Sequence, residues 1–401
     1  MSGTKKILIC GGGNGAHVLA PIASSLPGHH VRVLELLEAN AKTWNNEIQS
    51  GAVLNVKGFG VDNKPVDLSQ NPHIVSHLPE VAAKDFDMAI FVAPSFASQF
   101  YIDAIKPFIR PGCVIVAMPG GAGFEFQITS SLGDLADKVT ILNYITLPFN
   151  CRIVKYGCSV NLMSIKKNLD GALKEAKVET LIPAIPTLAT ILGECNLRTR
   201  GHLIGSTLEY NNAVLHPTIM YSKWHNWDGL PIKGDVSLFY QGVDSNTCIT
   251  MNALKNEILE VGKKLVEQNG IELDLRSQLD LMISLYGDQI HDKSTLIGAL
   301  AQNDGFTGLK HPVKMNEDES YVPDFTFRYL TEDIPFGLVP LKGIALIAGV
   351  ETPTLDKILL WGQSKINKEY LVDGKLTGKD VGTTRAPQRY RINNQKDLLF
   401  L

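Results

Sequence analysis

The chain has 401 residues, 44% hydrophobic and 20% charged, a globular balance with apolar material for two cores, so two or three domains fit better than one. A formal net charge of -3 and the lack of a long basic run leave salt-driven nucleic-acid binding without a source. Six scattered cysteines with no CxxC pair argue against a disulfide framework and a structural zinc site, so no metal is expected and a reducing cytoplasm is the expected compartment.

The first third alternates short apolar runs with helical stretches. Lys6–Cys10, Val31–Glu35, Met88–Val92, Val114–Met118 and Val139–Leu147 read as strands. Continuous apolar runs between turn signals indicate strands covered on both faces, hence a parallel sheet with helices on either side. The opening run Ile7–Cys10 is too short for a secretion signal. Residues 52–78, punctuated by Gly58, Gly60, Asn63 and Pro65, read as an extended excursion or an extra hairpin. Strand-like material continues over Arg152–Ile165, with a weaker βα region to Leu197. Past Arg200 helical patterns dominate: Leu203–Trp224, Asn246–Gln268, Leu275–Tyr286, Phe327–Val350 and Thr354–Lys368. The weakly polar stretch Phe336–Val350 carries Lys342 and is too short to span a bilayer. Phe327–Val350 must bend or break near Pro335 and Pro340. The last dozen residues are polar and read as extended. The domain boundary falls near Arg200–Gly201.

Directly after the first strand comes Gly11-Gly12-Gly13-Asn14-Gly15-Ala16-His17, with G-x-G-x-x-A spacing at Gly11, Gly13 and Ala16. Gly11 permits the sharp strand-to-helix turn, Gly13 lets the backbone approach a pyrophosphate, and Ala16 lets the helix pack close to the strand. The first turn of that helix, through Asn14 and Gly15, offers free N–H groups and a positive dipole end to phosphates. Glu35 follows Gly15 by twenty residues, placed to accept hydrogen bonds from ribose hydroxyls and to repel a 2′-phosphate, which favours NAD over NADP. A bare glycine turn and a surface acid are the alternative readings. Pro94–Ser95 and Pro119-Gly120-Gly121 lie at strand carboxyl ends, the ligand edge of open α/β sheets, or else are plain loop turns.

Hydride transfer to a carbonyl or imine needs a proton source near neutrality and a cation for the substrate carboxylate, tasks that suit histidine and arginine. Of ten histidines, His216 and His311 precede proline. Pro217 removes a backbone N–H within an apolar helical segment, so His216 is expected at a local helix break facing a cleft, unless it is a buried, hydrogen-bonded core histidine. Arg328, Glu332 and Asp333 lie among apolar residues. Arg328 and Glu332 have the spacing of a helix-face ion pair. The functional reading instead gives Arg328 a substrate carboxylate and Asp333 the task of orienting a histidine.

The chain resembles the opine dehydrogenases, the group of octopine, tauropine, strombine and alanopine dehydrogenases. The likeness rests on the glycine turn Cys10–His17, Ala122–Gln127, Thr146-Leu147-Pro148 with Cys151-Arg152, Leu215-His216-Pro217, Pro323-Asp324-Phe325, Arg328–Pro335, Lys368–Gly374 and Thr377–Val381. It spans essentially the whole chain. The resemblance implies an α/β fold: an N-terminal Rossmann doubly wound NAD-binding domain over residues 1–200 and a mainly α-helical opine dehydrogenase domain over 201–401, with the active site between them. It implies NADH as cofactor and reductive condensation of pyruvate with a small amino acid, regenerating NAD when oxygen is short. His216 is then the acid/base, held by Asp333, Arg328 anchors the keto-acid carboxylate, and Thr146 contacts substrate. A monomer is expected. Octopine-forming members are expected to carry an acid before the Thr-Leu-Pro stretch; this chain has Ile145. Burying a guanidinium unpaired there would cost several kcal/mol, so glycine, alanine, β-alanine or taurine is the expected amine. The rival readings are an octopine dehydrogenase using L-arginine, a two-domain hydroxy-acid or glycerol-phosphate reductase, and a silent NAD-binding module.

Overall fold

Strand β1 (Lys5–Cys10) buries alternate residues into two different cores: Ile7 and Ile9 join one, Leu8 and Cys10 the other. A strand covered on both faces belongs in the middle of a layered α/β sheet. The computed structural model, which describes residues 3–399, places β1 in such a sheet of eight strands. The chain divides into two units, Met1–Ser206 and Thr207–Leu401.

In the first unit β1 is followed by β2 (His29–Leu34), β3 (Asn55–Phe59), β4 (Pro65–Ser69), β5 (Ile74–Ser76), β6 (Met88–Phe91), β7 (Val114–Ala117) and β8 (Thr140–Tyr144). Then come β9 (Phe149–Lys155), β10 (Ser159–Ile165), β11 (Asn168–Lys174) and β12 (Asn196–Thr199). The large sheet runs β12-β11-β8-β7-β6-β1-β2-β5. From β5 to β8 every pair is parallel. This is the doubly wound arrangement, with the strand order reversing beside β1. The sheet is not parallel throughout: β11 pairs antiparallel with β8, and β12 follows β11 in parallel. After β8 the chain makes the β9–β10 hairpin and returns beside β8 in the opposite sense, which needs no helical crossover.

Residues 52–78 resolve into the β3–β4 hairpin and β5. The hairpin joins the second sheet, β4-β3-β10-β9, while β5 returns to the first. His17 pins that second sheet to the helix Asn14–Ser25. Its Nδ1–H donates to the Gly13 carbonyl at 3.0 Å, and the Gly157 N–H donates to Nε2 at 2.9 Å. The ring stacks on Trp44 at 4.0 Å. Burial pulls its pKa down to about 4, so it is a neutral structural histidine with a fixed tautomer.

The second unit is mainly helical. Asn211–Trp224, Ser245–Asn269, Gln278–Tyr286, Val339–Ala348 and Pro353–Lys365 are its longer helices. Asp244 caps the longest by accepting the Thr247 N–H at 2.7 Å, and Gly270, at φ 67°, ends it. Three local expectations are corrected. Pro217 does not break its helix, which runs through from Asn211 to Trp224; one missing backbone bond is tolerated where neighbouring helices pack on the segment. The Phe327–Val350 stretch breaks at Pro335 as expected, a short helix Arg328–Thr331 leading into a π-turn Ile334–Leu338, but not at Pro340, which sits in the first turn of the next helix. Within the last dozen residues Gln395–Leu399 is helical, not extended, and buries Leu398, while residues 400–401 lie outside the described residues.

Among the described residues no helix is long and apolar enough to cross a membrane, and no group of three or more His, Cys, Asp or Glu is placed to hold a metal ion. Just ahead of the Asn211–Trp224 helix, Glu209 accepts from Lys255 Nζ at 2.7 Å and from the Arg276 N–H at 2.9 Å. Both side chains of this ion pair are at most 5% exposed. Removing one partner of a buried pair strands the other charge. Lys255→Met should therefore destabilise the second unit by about 3–5 kcal/mol, read as a lower denaturation midpoint; an unchanged midpoint would show that the pair is not buried.

Candidate active site

Unit 1 assembles its site at the carboxyl end of β1. Gly11 has φ +126°, a conformation that side-chain-bearing residues rarely adopt, and a Cβ there would press on the Val92 carbonyl group. Gly13 is different. Its φ is -82° and a Cβ would meet nothing within 4 Å, so no protein atom explains the missing side chain. A glycine facing open space at the start of a helix is what a close-lying pyrophosphate needs. Asn14 opens the helix and uses its side-chain oxygen to accept the Ile153 N–H at 2.8 Å, tying the turn to β9. Gly15 lies against Leu147, and Ala16 is fully buried in the core.

Glu35 follows β2 immediately and is 4% exposed. One oxygen accepts the Leu37 N–H at 2.8 Å, and the other lies so close to Gly12 that an added Cβ would stand 1.9 Å from it. Burial raises its pKa, while N–H donors from Leu37 and Gly12 oppose that rise. The carboxylate is thus fixed beside the glycine turn, where a ribose would present its hydroxyls. Pro94 is exposed after β6 and precedes the turn Ser95–Ala97. At the end of β7, Gly120 is required by the protein itself, because a Cβ would stand 1.9 Å from Asn143 Oδ1. Thr146 follows β8. Lys166 Nζ donates to its hydroxyl at 2.6 Å and to the Leu147 carbonyl at 3.2 Å, and burial lowers the pKa of Lys166 to about 8.

Unit 2 assembles a second constellation. His216 lies on the Asn211–Trp224 helix, and Asp333 precedes the π-turn. Gly337 in that turn comes so near the helix that a Cβ would stand 2.8 Å from the Ala213 Cβ; this close approach brings His216 and Asp333 together. His216 Nδ1 meets Asp333 Oδ2 at 2.7 Å. A carboxylate only accepts, so Nδ1 carries the proton. The Tyr210 hydroxyl donates to the other Asp333 oxygen at 3.1 Å. His216 Nε2 meets the Tyr240 hydroxyl at 2.7 Å, and its ring stacks on Tyr329 at 4.0 Å. Arg328 and Glu332 do form the helix-face ion pair, at 3.0 Å, with the arginine side chain 56% exposed. Pairing and exposure coexist: the guanidinium carries five donors, and one contact leaves others for a ligand.

Pattern reasoning named His216, Asp333 and Arg328, which the fold brings into one region of the second unit. It missed Tyr210, Tyr240 and Tyr329. Tyr210 heads the His216 helix, a position visible in the sequence, but Tyr240 sits in an irregular segment with no periodicity to flag it. In unit 1 it missed Lys166, two strands away from Thr146 in sequence.

Residues 199–366 match the family model described as NAD/NADP octopine/nopaline dehydrogenase, alpha-helical domain. The chain is 40% identical to the tauropine dehydrogenase of Arabella iricolor over 396 residues, covering 98% of this chain and 99% of that one. Solved structures of octopine dehydrogenase with NADH and L-arginine and with NADH and pyruvate superpose with TM-scores of 0.92 and 0.90, each at 38% identity, covering 99% of this chain and 98% of theirs.

A glycine kept for the protein's sake and one kept for a ligand's respond differently to substitution. Gly13→Ala should leave the thermal melt unchanged and weaken NADH binding at least tenfold, followed by quenching of protein fluorescence. Unaltered affinity would leave Gly13 an ordinary turn residue.

Proposed function

The chain belongs to the opine dehydrogenases, NAD-dependent oxidoreductases, and we propose that it joins pyruvate to a small amino acid, with unit 1 holding NADH and unit 2 holding the keto acid. The observation that carries the reading is the buried Asp333–His216 pair at 2.7 Å, five residues along the chain from a half-exposed arginine. When bound, the dihydronicotinamide supplies hydride to the imine carbon.

The residues do the rest. Arg328 presents its remaining N–H donors to the pyruvate carboxylate, a planar match that lysine lacks. Glu332 holds that guanidinium in place. His216 supplies the proton needed when the carbinolamine loses water, and Asp333 keeps the imidazole in one tautomer and complements its charge. Much of the rate comes from holding two small reactants together.

Two features of unit 1 support a small amine donor. Ile145 is buried, at 4% exposure, and offers no charge to a guanidinium. Lys166 adds an ammonium beside Thr146 at 2.6 Å, which opposes a cationic side chain and favours a donor whose charged group is a carboxylate or sulfonate. Taurine, glycine, alanine and β-alanine fit this description.

The test is NADH oxidation with pyruvate against taurine, glycine, alanine, β-alanine and L-arginine. Turnover with one of the first four and little with arginine is expected. Arginine as the best donor would return the octopine reading, and oxidation with pyruvate alone would make the enzyme a hydroxy-acid reductase. In the same assay His216→Gln should keep NADH binding and lose about 10²-fold or more in kcat. Arg328→Lys should raise the pyruvate KM while leaving NADH affinity in place; an unchanged KM would remove Arg328 from the keto-acid site.

A further inference from the structure

His216 is fully engaged. Nδ1 belongs to Asp333 and Nε2 to the Tyr240 hydroxyl, each at 2.7 Å. One ring face is covered by Tyr329, and the residue is 7% exposed. An imidazole in that position has no nitrogen left for a reacting oxygen. Tyr240 cannot swing aside cheaply: its ring lies flat on Phe306 at 3.8 Å and 12°, and Phe239 closes on it edge-to-face at 4.8 Å. Beyond it, the Tyr240 and Tyr329 hydroxyls are themselves hydrogen-bonded. Tyr329 is only half-buried and adjoins Arg328. The Asp333 carboxylate, the His216 ring and the Tyr240 and Tyr329 hydroxyls therefore form one hydrogen-bonded chain.

We propose that this chain is a proton relay, with Tyr240 as the obligatory link between His216 and the reacting oxygen. The inference rests on the function proposed above. In the water-losing step, the Tyr329 hydroxyl gives its proton to the carbinolamine oxygen. Tyr240 reprotonates Tyr329, and the His216 Nε2–H reprotonates Tyr240. The carbon–oxygen bond breaks, water departs, and the nitrogen lone pair closes the C=N⁺ bond. Net, imidazolium becomes imidazole, both tyrosines end as hydroxyls, and a solvent proton returns to His216 through the same hydroxyls before the next turnover.

Burial, with Tyr329, Tyr286 and Asp333 nearby, holds Tyr240 well above the usual tyrosine value. It therefore works as a hydroxyl passing protons in concert, and no tyrosinate accumulates. Tyr210, on the far side of Asp333, is likewise held up, first by burial and then by the Asp333 charge, and remains a donor to it.

The experiment compares Tyr240→Phe, Tyr329→Phe and His216→Gln with the wild type, using NADH, pyruvate and the preferred amine. Both phenylalanine variants keep ring packing, and thermal melts check that they fold. The relay predicts that each loses about 10²-fold in kcat, with NADH affinity unchanged. Wild-type turnover in either variant, beside an inactive His216→Gln, overturns the relay and leaves the function standing. A wild-type chain with no amine-dependent turnover overturns the function and the relay with it.

A second readout separates proton transfer from packing. The titratable groups facing Tyr240 are His216, Tyr329, Tyr286 and Asp333. Replacing Tyr240 with 3,5-difluorotyrosine keeps its shape and makes its hydroxyl more acidic. The alkaline limb of the kcat profile should then move to lower pH. An unmoved limb with full activity would make Tyr240 a packing residue only.

Discussion

A carboxylate taken out of water must find partners inside the protein, and Asp333 is 1% exposed. Leaving such a charge unpaired would cost several kcal/mol. Much of the second unit's local architecture answers that requirement. One oxygen is satisfied by His216 and the other by Tyr210, residues at the head and middle of one helix. For a single carboxylate to reach both, the following segment must lie almost on that helix. The π-turn with its glycine at the contact achieves this, at the expense of regular helix hydrogen bonding. Irregular helix turns of this kind recur at functional sites, and here the turn contains Pro335, which removes a backbone donor and bends the chain beside the shared carboxylate.

The first unit meets the opposite demand. A phosphate lying against the glycine turn would need room there that a folded chain ordinarily close-packs. Gly11 and Gly12 are set by the protein's own geometry, through a positive φ and through contact with Glu35. Gly13 is not, since its missing side chain faces space. His17 and Asn14, two residues of the same turn, spend their side chains on Gly157 and Ile153. They hold the turn rigid against the second sheet, so the site's backbone donors are positioned before any ligand arrives.

The fold was legible where periodicity and covalent constraint agree. Five of the six parallel strands of the Rossmann core were placed to within a few residues, because each is a short apolar run between turns; β5 was read as part of the excursion over residues 52–78. The sequence did not reveal that β11 would run antiparallel, since pairing direction depends on where the preceding hairpin delivers the chain and not on residue type. Pro217 misled for a related reason. Proline removes one hydrogen bond, but a helix buried along most of its length retains enough packing to run straight through it. Of the candidate site, the residues named from pattern were those with distinctive chemistry: an imidazole before proline, a guanidinium, a carboxylate. Tyrosines were not, because a tyrosine in an irregular loop looks like any aromatic core residue until its hydroxyl is seen on Nε2.

That blind spot bears on mechanism. Exposed acid/base groups exchange protons with water directly, and burial removes that route. A histidine sheltered enough for its carboxylate partner to act in a low dielectric must then move protons through neighbouring hydroxyls. The same burial that strengthens the Asp333–His216 interaction therefore calls for the tyrosines: without them the pair would be strong and isolated. Dense aromatic packing around His216, Tyr240 and Tyr329 fixes the hydroxyl positions closely enough for concerted transfer, and it keeps bulk water from short-circuiting the path. On this view Phe239 and Phe306, which carry no chemistry of their own, are positioning residues, because their packing on Tyr240 fixes where a single O–H can point.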